Sequence, residues 1–236
     1  MPSLRFIIGL VFTIYVCCIG WRARNYLPPA AQPILFLVWA SLFFDLAAFG
    51  AFRVAQTLGS DIPMYEIPNH IYTIVEFAAE IQFLSLITEK SWLRSVLLVA
   101  MPVFTVFWVW SEYQPLALVQ PDTVSILISQ CFVSIIILTV LFEKANAASL
   151  LFVEQGKGAL WSGVLGNIWA NYLGKIFIGL LVYNFFSMFL FVLSHQSLLP
   201  PKATPYLHSL AHGLKHTCFL LAFLQHYPIT FWRRTS

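Results

Sequence analysis

A 236-residue chain that is 59% hydrophobic, 17% aromatic and only 10% charged, with a mean hydropathy of +0.79, lies far from the roughly 25% charged content of soluble domains. That composition excludes a water-soluble globular protein and makes the lipid bilayer the expected partner. The net charge of +3 is spread over short segments between apolar runs, so it forms no basic patch for a nucleic-acid partner.

The first apolar span covers about 4–21 and is followed at once by Arg22 and Arg24. A secretory signal competes for this stretch, but no small-x-small cleavage site follows, so a retained helix is expected. After the linker RNYLPPAAQP, the second span (about 34–52) carries Ser41 and Asp45. The third (about 66–88) holds Asn69, Tyr72, Thr73, Glu76 and Glu80 at spacings that align them on one helix face. The fourth (about 92–110) contains Pro102, which neighbouring helices can accommodate. The fifth (about 119–142) offers Gln130 and scattered serines, and the connection 143–166 mixes LLFV with Gly and Lys, as an interfacial segment would. The sixth (about 168–193) contains Asn171, Lys175, Tyr183 and Asn184, and the seventh covers about 204–227. Cys17, Cys18, Cys131 and Cys218 all fall inside apolar spans, where they read as small packing residues rather than a disulfide framework.

The expected fold is therefore all-α: one polytopic domain, residues 1–236, with seven transmembrane helices in a cell inner (plasma) membrane. Trp21, Trp92, Trp110, Tyr113, Trp169, Tyr206, Tyr227 and Trp232 fall near the inferred span ends, as an aromatic belt does. An outside N-terminus puts Arg22, Arg24, Lys90, Arg94, Lys144, Lys157, Arg233 and Arg234 inside, against Arg5, Arg53 and Lys202 outside. That asymmetry favours N-out, C-in.

The seventh span is the unusual one. His208, His212, Lys215 and His216 fall at i, i+4, i+7 and i+8, a helical stripe that has to face protein or water, because an ionisable group in lipid costs roughly 2.5–3.5 kcal/mol at mid-bilayer. With N-out topology, Asp45, Glu76 and Lys215 lie about 15–17 Å deep at ~1.5 Å per residue, so three helices bring charge to one level. His212 and His216 flank that level, while His208, Asn69 and His70 form a second layer nearer the outer face.

Several readings meet here. A polar staple would pair Lys215 with Glu76 or Asp45 and do no chemistry. Asp45, Glu76 and Glu80 against one lysine leave an excess of negative charge that calls for protons, a metal or a cationic ligand. His-x3-His on one helix can hold an ion such as zinc or iron, with His208, His212 and His216 as ligands and a carboxylate from another helix completing the set. A metal-bound water would then permit hydrolysis within the membrane. The histidine pattern resembles the last helix of the alkaline-ceramidase, adiponectin-receptor and haemolysin-III group of seven-helix hydrolases. Ser41 and Asp45 echo that group's Ser-x3-His, with aspartate where a histidine ligand is expected.

The resulting expectation is a metal- or proton-dependent membrane enzyme acting on a lipid or other apolar substrate. Asp45 and Glu76 would be ligand or general acid/base, with Lys215 as electrostatic stabiliser. Ser41, Asn69, Tyr72, Glu80 and Asn184 would line the ligand site. The nearly equal alternative is a non-enzymatic proton or small-ligand transporter, or a sensor working through a separate membrane or cytoplasmic partner. A retinal-binding, opsin-like protein is a distant third, since Lys215 with Glu76 matches a Schiff-base lysine and its counter-ion, whereas VYNFFSMF lacks the microbial Trp and Pro pattern.

Across more of the chain, NHIYTIVEF, LLVYNFFSMFLF and LHSLAHGLKHTCFLLAF resemble a family of seven-helix membrane proteins frequent in Bacteroidetes, whose activity is unassigned. Members show Asn, Tyr and Glu-Phe in the third helix and His-x3-Asn in the last. Asn69, Tyr72, Glu76 and His208 fit, while His212 stands where Asn is usual. The resemblance implies fold and membrane location, and it gives Glu76 and His208 more weight than His212 or His216.

Overall fold

The computed structural model describes residues 4–59, 66–112, 123–154, 171–195 and 204–226. Among these the protein is all-α. Seven helices follow in order: α1 Leu4–Ala23, α2 Gln32–Leu58, α3 Glu66–Ile87, α4 Ser91–Glu112, α5 Thr123–Glu154, α6 Tyr172–His195 and α7 Thr204–His226. By length and composition, five are apolar enough to cross a membrane, at 29–58, 67–87, 91–111, 124–144 and 172–193. The apolar part of α1, Ile7–Ala23, is shorter. In α7 the apolar run is broken by the histidines and Lys215.

Local chemistry explains the boundaries. A 3-10 turn at Pro29–Ala31 leads into α2, whose Pro33 sits in the first turn, where no amide donor is needed. The helix then runs past residue 52 to Leu58, where Gly59 takes φ +63° and ends it in the left-handed conformation. The expected end of the fifth span at 142 is also overrun. Residues 143–154, EKANAASLLFVE, contain strong helix formers and no Gly or Pro, so α5 continues to Glu154 rather than turning into an interfacial segment. The remainder of that expected segment, with Lys157 and Trp169, lies outside the described residues, as do Tyr113, Lys202, Tyr227, Trp232, Arg233 and Arg234.

Packing runs α1–α2, α2–α3, α3–α5, α5–α6, α6–α7 and α7–α1, so six helices close a ring. Outside it stands α4, packed mainly on α3, with Leu98, Val99, Val103, Val106 and Val109 exposed. A soluble monomer rarely exposes so continuous an apolar face. Two contacts fix the seam between α1 and α7. Thr13 meets His216, and Gly20 lies against Phe223, seven residues further along both helices, so the two run parallel.

The ring interior is filled mainly by Phe83, Leu84, Ile176, Leu180, Phe219 and Phe223. The Phe83 and Phe177 rings, 5.6 Å apart, bridge α3 and α6. At the end where α3 gives way to α4, polar contacts tie the ring together. Lys144 pairs with Glu89, Lys90 lies 3.9 Å from Glu143, and Arg94 donates to the carbonyls of Ser85 and Thr88. At the start of α6, Lys175 donates to Gln225 at 2.8 Å.

Candidate functional site

The site is organised around Lys215, which is 0% exposed on α7. Its Nζ lies 2.5 Å from Glu76 Oε1 on α3 and 3.6 Å from the centroid of the Tyr183 ring on α6. A buried ammonium is thus met by one carboxylate and by the negative face of an aromatic ring. The Tyr72 hydroxyl, one turn before Glu76, donates to the same Oε1 at 3.2 Å. Ser41 on α2 lies beside that hydroxyl, and Ser41 Oγ is 3.2 Å from His212 Nε2. From His212 to Lys215, exchangeable groups therefore follow one another without an apolar gap: imidazole, serine, tyrosine, carboxylate, ammonium.

Helix geometry allows α7 to come this close to α6. A Cβ on Gly179 would fall 2.8 Å from Cys218 Cβ and 3.2 Å from the Lys215 carbonyl, a spacing only glycine permits without displacing one helix. Gly179 lies one turn before Tyr183, and so brings the ring under the ammonium.

The three histidines share only part of their surroundings: His208 and His212 both border the Tyr183 ring, at 5.9 and 6.0 Å, and His216 does not. At ~100° per residue, a shift of eight positions turns the side chain by about 80° beyond two full turns. His216 accordingly faces α1, with Nδ1 3.5 Å from Thr13 Oγ1, whose hydroxyl also donates to the Gly9 carbonyl at 3.1 Å. His212 faces α2 and Ser41, its ring centroid 4.2 Å from that of His216. His208 is exposed, its ring 5.9 Å from Tyr183. Among the described residues no three His, Cys, Asp or Glu side chains converge as a metal-binding group. His212 and His216, expected with His208 as ligands of zinc or iron, have Ser41 and Thr13 as their polar neighbours here.

The other expected residues divide in the same way. Asp45 is half-buried on α2, close enough to interact with the charge of Lys215. Asn69 is exposed near the start of α3, its carbonyl accepting from Thr73, whereas His70 beside it is buried. Glu80 is 2% exposed, one turn beyond Glu76, and Asn184 on α6 lies against it. Residues without a role in the sequence reading also enter the interior: Thr13, Tyr183, Gln130, Ser134 and Ser187. The spacing of Gln130 with Ser134, and of Tyr183 with Ser187, is the i, i+4 signal of a shared polar face.

Compared with known proteins, the chain matches no family model, no curated protein and no solved structure. Chemistry must therefore be read from the site: an integral membrane helix ring with a buried ion pair and a connected set of proton-exchanging side chains.

Proposed function

We propose that this is a multi-pass protein of the cell inner membrane, N-out and C-in, that binds and exchanges a proton in its interior as a transporter or sensor rather than as a metal-dependent hydrolase. The observation that carries the reading is the unbroken sequence from His212 through Ser41, Tyr72 and Glu76 to Lys215. Each member can take up or release a proton, or pass one on through a hydroxyl. Charge balance makes the ion pair the resting arrangement, because a lone buried charge costs far more than a paired one. The seven-helix family of Bacteroidetes is part of the same proposal, for which Tyr72 and Glu76 speak.

The test is infrared difference spectroscopy of the purified protein as pH is changed. Wild type is expected to show a protonated-carboxyl band that disappears in Glu76→Gln and shifts in Tyr72→Phe. A spectrum identical in wild type and Glu76→Gln overturns the reading.

One distance favours a second reading, a membrane enzyme acting on a lipid ester or amide. Ser41 Oγ and His212 Nε2 at 3.2 Å have the spacing of a nucleophile and its base. A fluorophosphonate probe should then label wild type and leave Ser41→Ala and His212→Ala unlabelled, and absence of wild-type labelling removes it.

A further inference from the structure

Between α3, α5 and α6 lies a second polar cluster that the Lys215 chain does not use. Glu80 Oε1, Gln130 Oε1, Ser134 Oγ, Asn184 Nδ2 and Ser187 Oγ are all buried and, among the described residues, complete no hydrogen bond. Their residues are 2%, 4%, 3%, 1% and 5% exposed. One such atom in a protein interior is costly and five together call for an explanation.

Two contacts set the register that joins them. Phe77 on α3 lies 6.0 Å from Phe132 on α5, and Cys131 on α5 donates to Met188 on α6 at 3.0 Å. Counting from these, Glu80, Ser134 and Asn184 share one level, and Gln130 and Ser187 lie one turn away towards the level of Glu76. Asn184 is beside Glu80, and Ser187 beside Tyr183. The three helices thus bring one carboxylate, two amides and two hydroxyls, all turned to the interior, to two neighbouring levels of the bundle.

We infer that Glu80, Gln130, Ser134 and Ser187, with Asn184 as a positioning residue for Glu80, form a binding site for a single dehydrated monovalent cation of the sodium type. Four of the five atoms, from Glu80, Gln130, Ser134 and Ser187, are hard oxygens, and hard oxygen selects alkali and alkaline-earth ions over zinc or iron; the Asn184 amide nitrogen is a donor and positions the Glu80 carboxylate beside it. Charge decides between those two. Lys215 already neutralises Glu76, which leaves Glu80, among the described residues, as the one buried carboxylate of this cluster without a paired counter-charge. Within this cluster one positive charge balances the single carboxylate and a divalent ion would leave a local surplus; Asp45, the other carboxylate near Lys215, stands on α2 outside the cluster and is half-buried. The groups facing Glu80 are Glu76, Lys215, Tyr183 and Asn184, so a proton on Glu80 would compete directly with the cation. This inference rests on the proton-exchange reading, since it gives the same interior a second ion to exchange.

The experiment measures thermal unfolding of the detergent-purified full chain in sodium chloride against choline chloride at constant ionic strength. Wild type should show a saturable, sodium-specific rise of several degrees in the midpoint, diminishing as pH falls. Glu80→Gln and the milder Ser134→Ala should abolish or weaken that rise while unfolding in choline at about the wild-type midpoint. Direct binding of radioactive sodium, retained by wild type and lost in Ser134→Ala, checks the same point without heating. Equal midpoints of wild type in sodium and choline overturn the cation site. If the Glu76-dependent carboxyl band is then still present, proton exchange stands and the cation alone falls. A sodium shift unchanged in both Glu80→Gln and Ser134→Ala also overturns it, placing the ion elsewhere.

Discussion

The Lys215 ammonium rests 3.6 Å from the centroid of the Tyr183 ring while Glu76 holds it from the other helix. Both partners are needed because the lysine is wholly enclosed. Replacing Lys215 by Met leaves Glu76 with a buried charge and no counter-ion, a loss of about 3–5 kcal/mol. Adding Glu76→Gln to that variant should recover most of the loss. Unfolding of the single and double variants in detergent measures the difference, and an unrecovered double variant would show that packing of the lysine stem, not charge, dominates.

Gly179 gives a second test, specific to helix approach. Gly179→Ala forces a Cβ to 2.8 Å from Cys218 Cβ and should cost about 1–3 kcal/mol through overpacking. A Cβ on Gly213 of α7 would instead meet no described atom within 4 Å, so Gly213→Ala should be neutral or stabilise by up to about 1 kcal/mol through helix propensity. Thermal midpoints of the two variants, expected to move in opposite directions, decide it.

Thr13 is expected to matter through His216. Thr13→Val keeps the shape but removes the hydroxyl 3.5 Å from Nδ1. Since Nε2 of this buried histidine has no partner among the described residues, the variant leaves the whole ring unsatisfied, at about 1–3 kcal/mol. Nitrogen NMR of labelled histidine should report a changed tautomer balance at His216, and an unchanged signal would remove Thr13 as its orienting group.

Outside the membrane-spanning segments, Lys144 beside Glu89 holds that carboxyl below its ordinary range. The sign follows from linkage: a carboxylate whose folded-state value is depressed contributes stability above its unfolded value, about 4.3, and that contribution is lost as pH falls through the folded value. The pair is solvent-exposed, so the effect is small and screened by salt. Glu89→Gln should flatten the acid limb of stability against pH at low ionic strength, and an unchanged limb would show that the pair contributes nothing.

Lys215, Glu76 and Tyr72 are legible from the chain alone, because an ionisable group inside an apolar span has to turn inward and a helical spacing fixes its companions. Tyr183 can be placed in its span, but its role as the floor under the ammonium depends on how closely α6 meets α7, which Gly179 sets. Hydroxyls are harder still. Thr13, Ser129 and Thr139 donate to carbonyls of their own helices, so a hydroxyl in an apolar run carries no mark of whether it also faces a site. For the histidine set, spacing alone does not give the partners: a stripe at i, i+4 and i+8 drifts round the helix, so His208 and His212 both border the Tyr183 ring while His212 reaches Ser41 and His216 reaches Thr13. The helix ends at Leu58 and Glu154 lie beyond the apolar spans because apolarity stops at the membrane edge while helix propensity does not.

The parallel seam between α1 and α7 has a consequence for chain connectivity. Since both helices travel in the same direction, the first residue of α1 and the last of α7 stand at opposite ends of the bundle, about 30 Å apart at ~1.5 Å per residue. Although the two helices touch, no short linker can join those ends. Joining them takes a segment that runs the full length of the bundle.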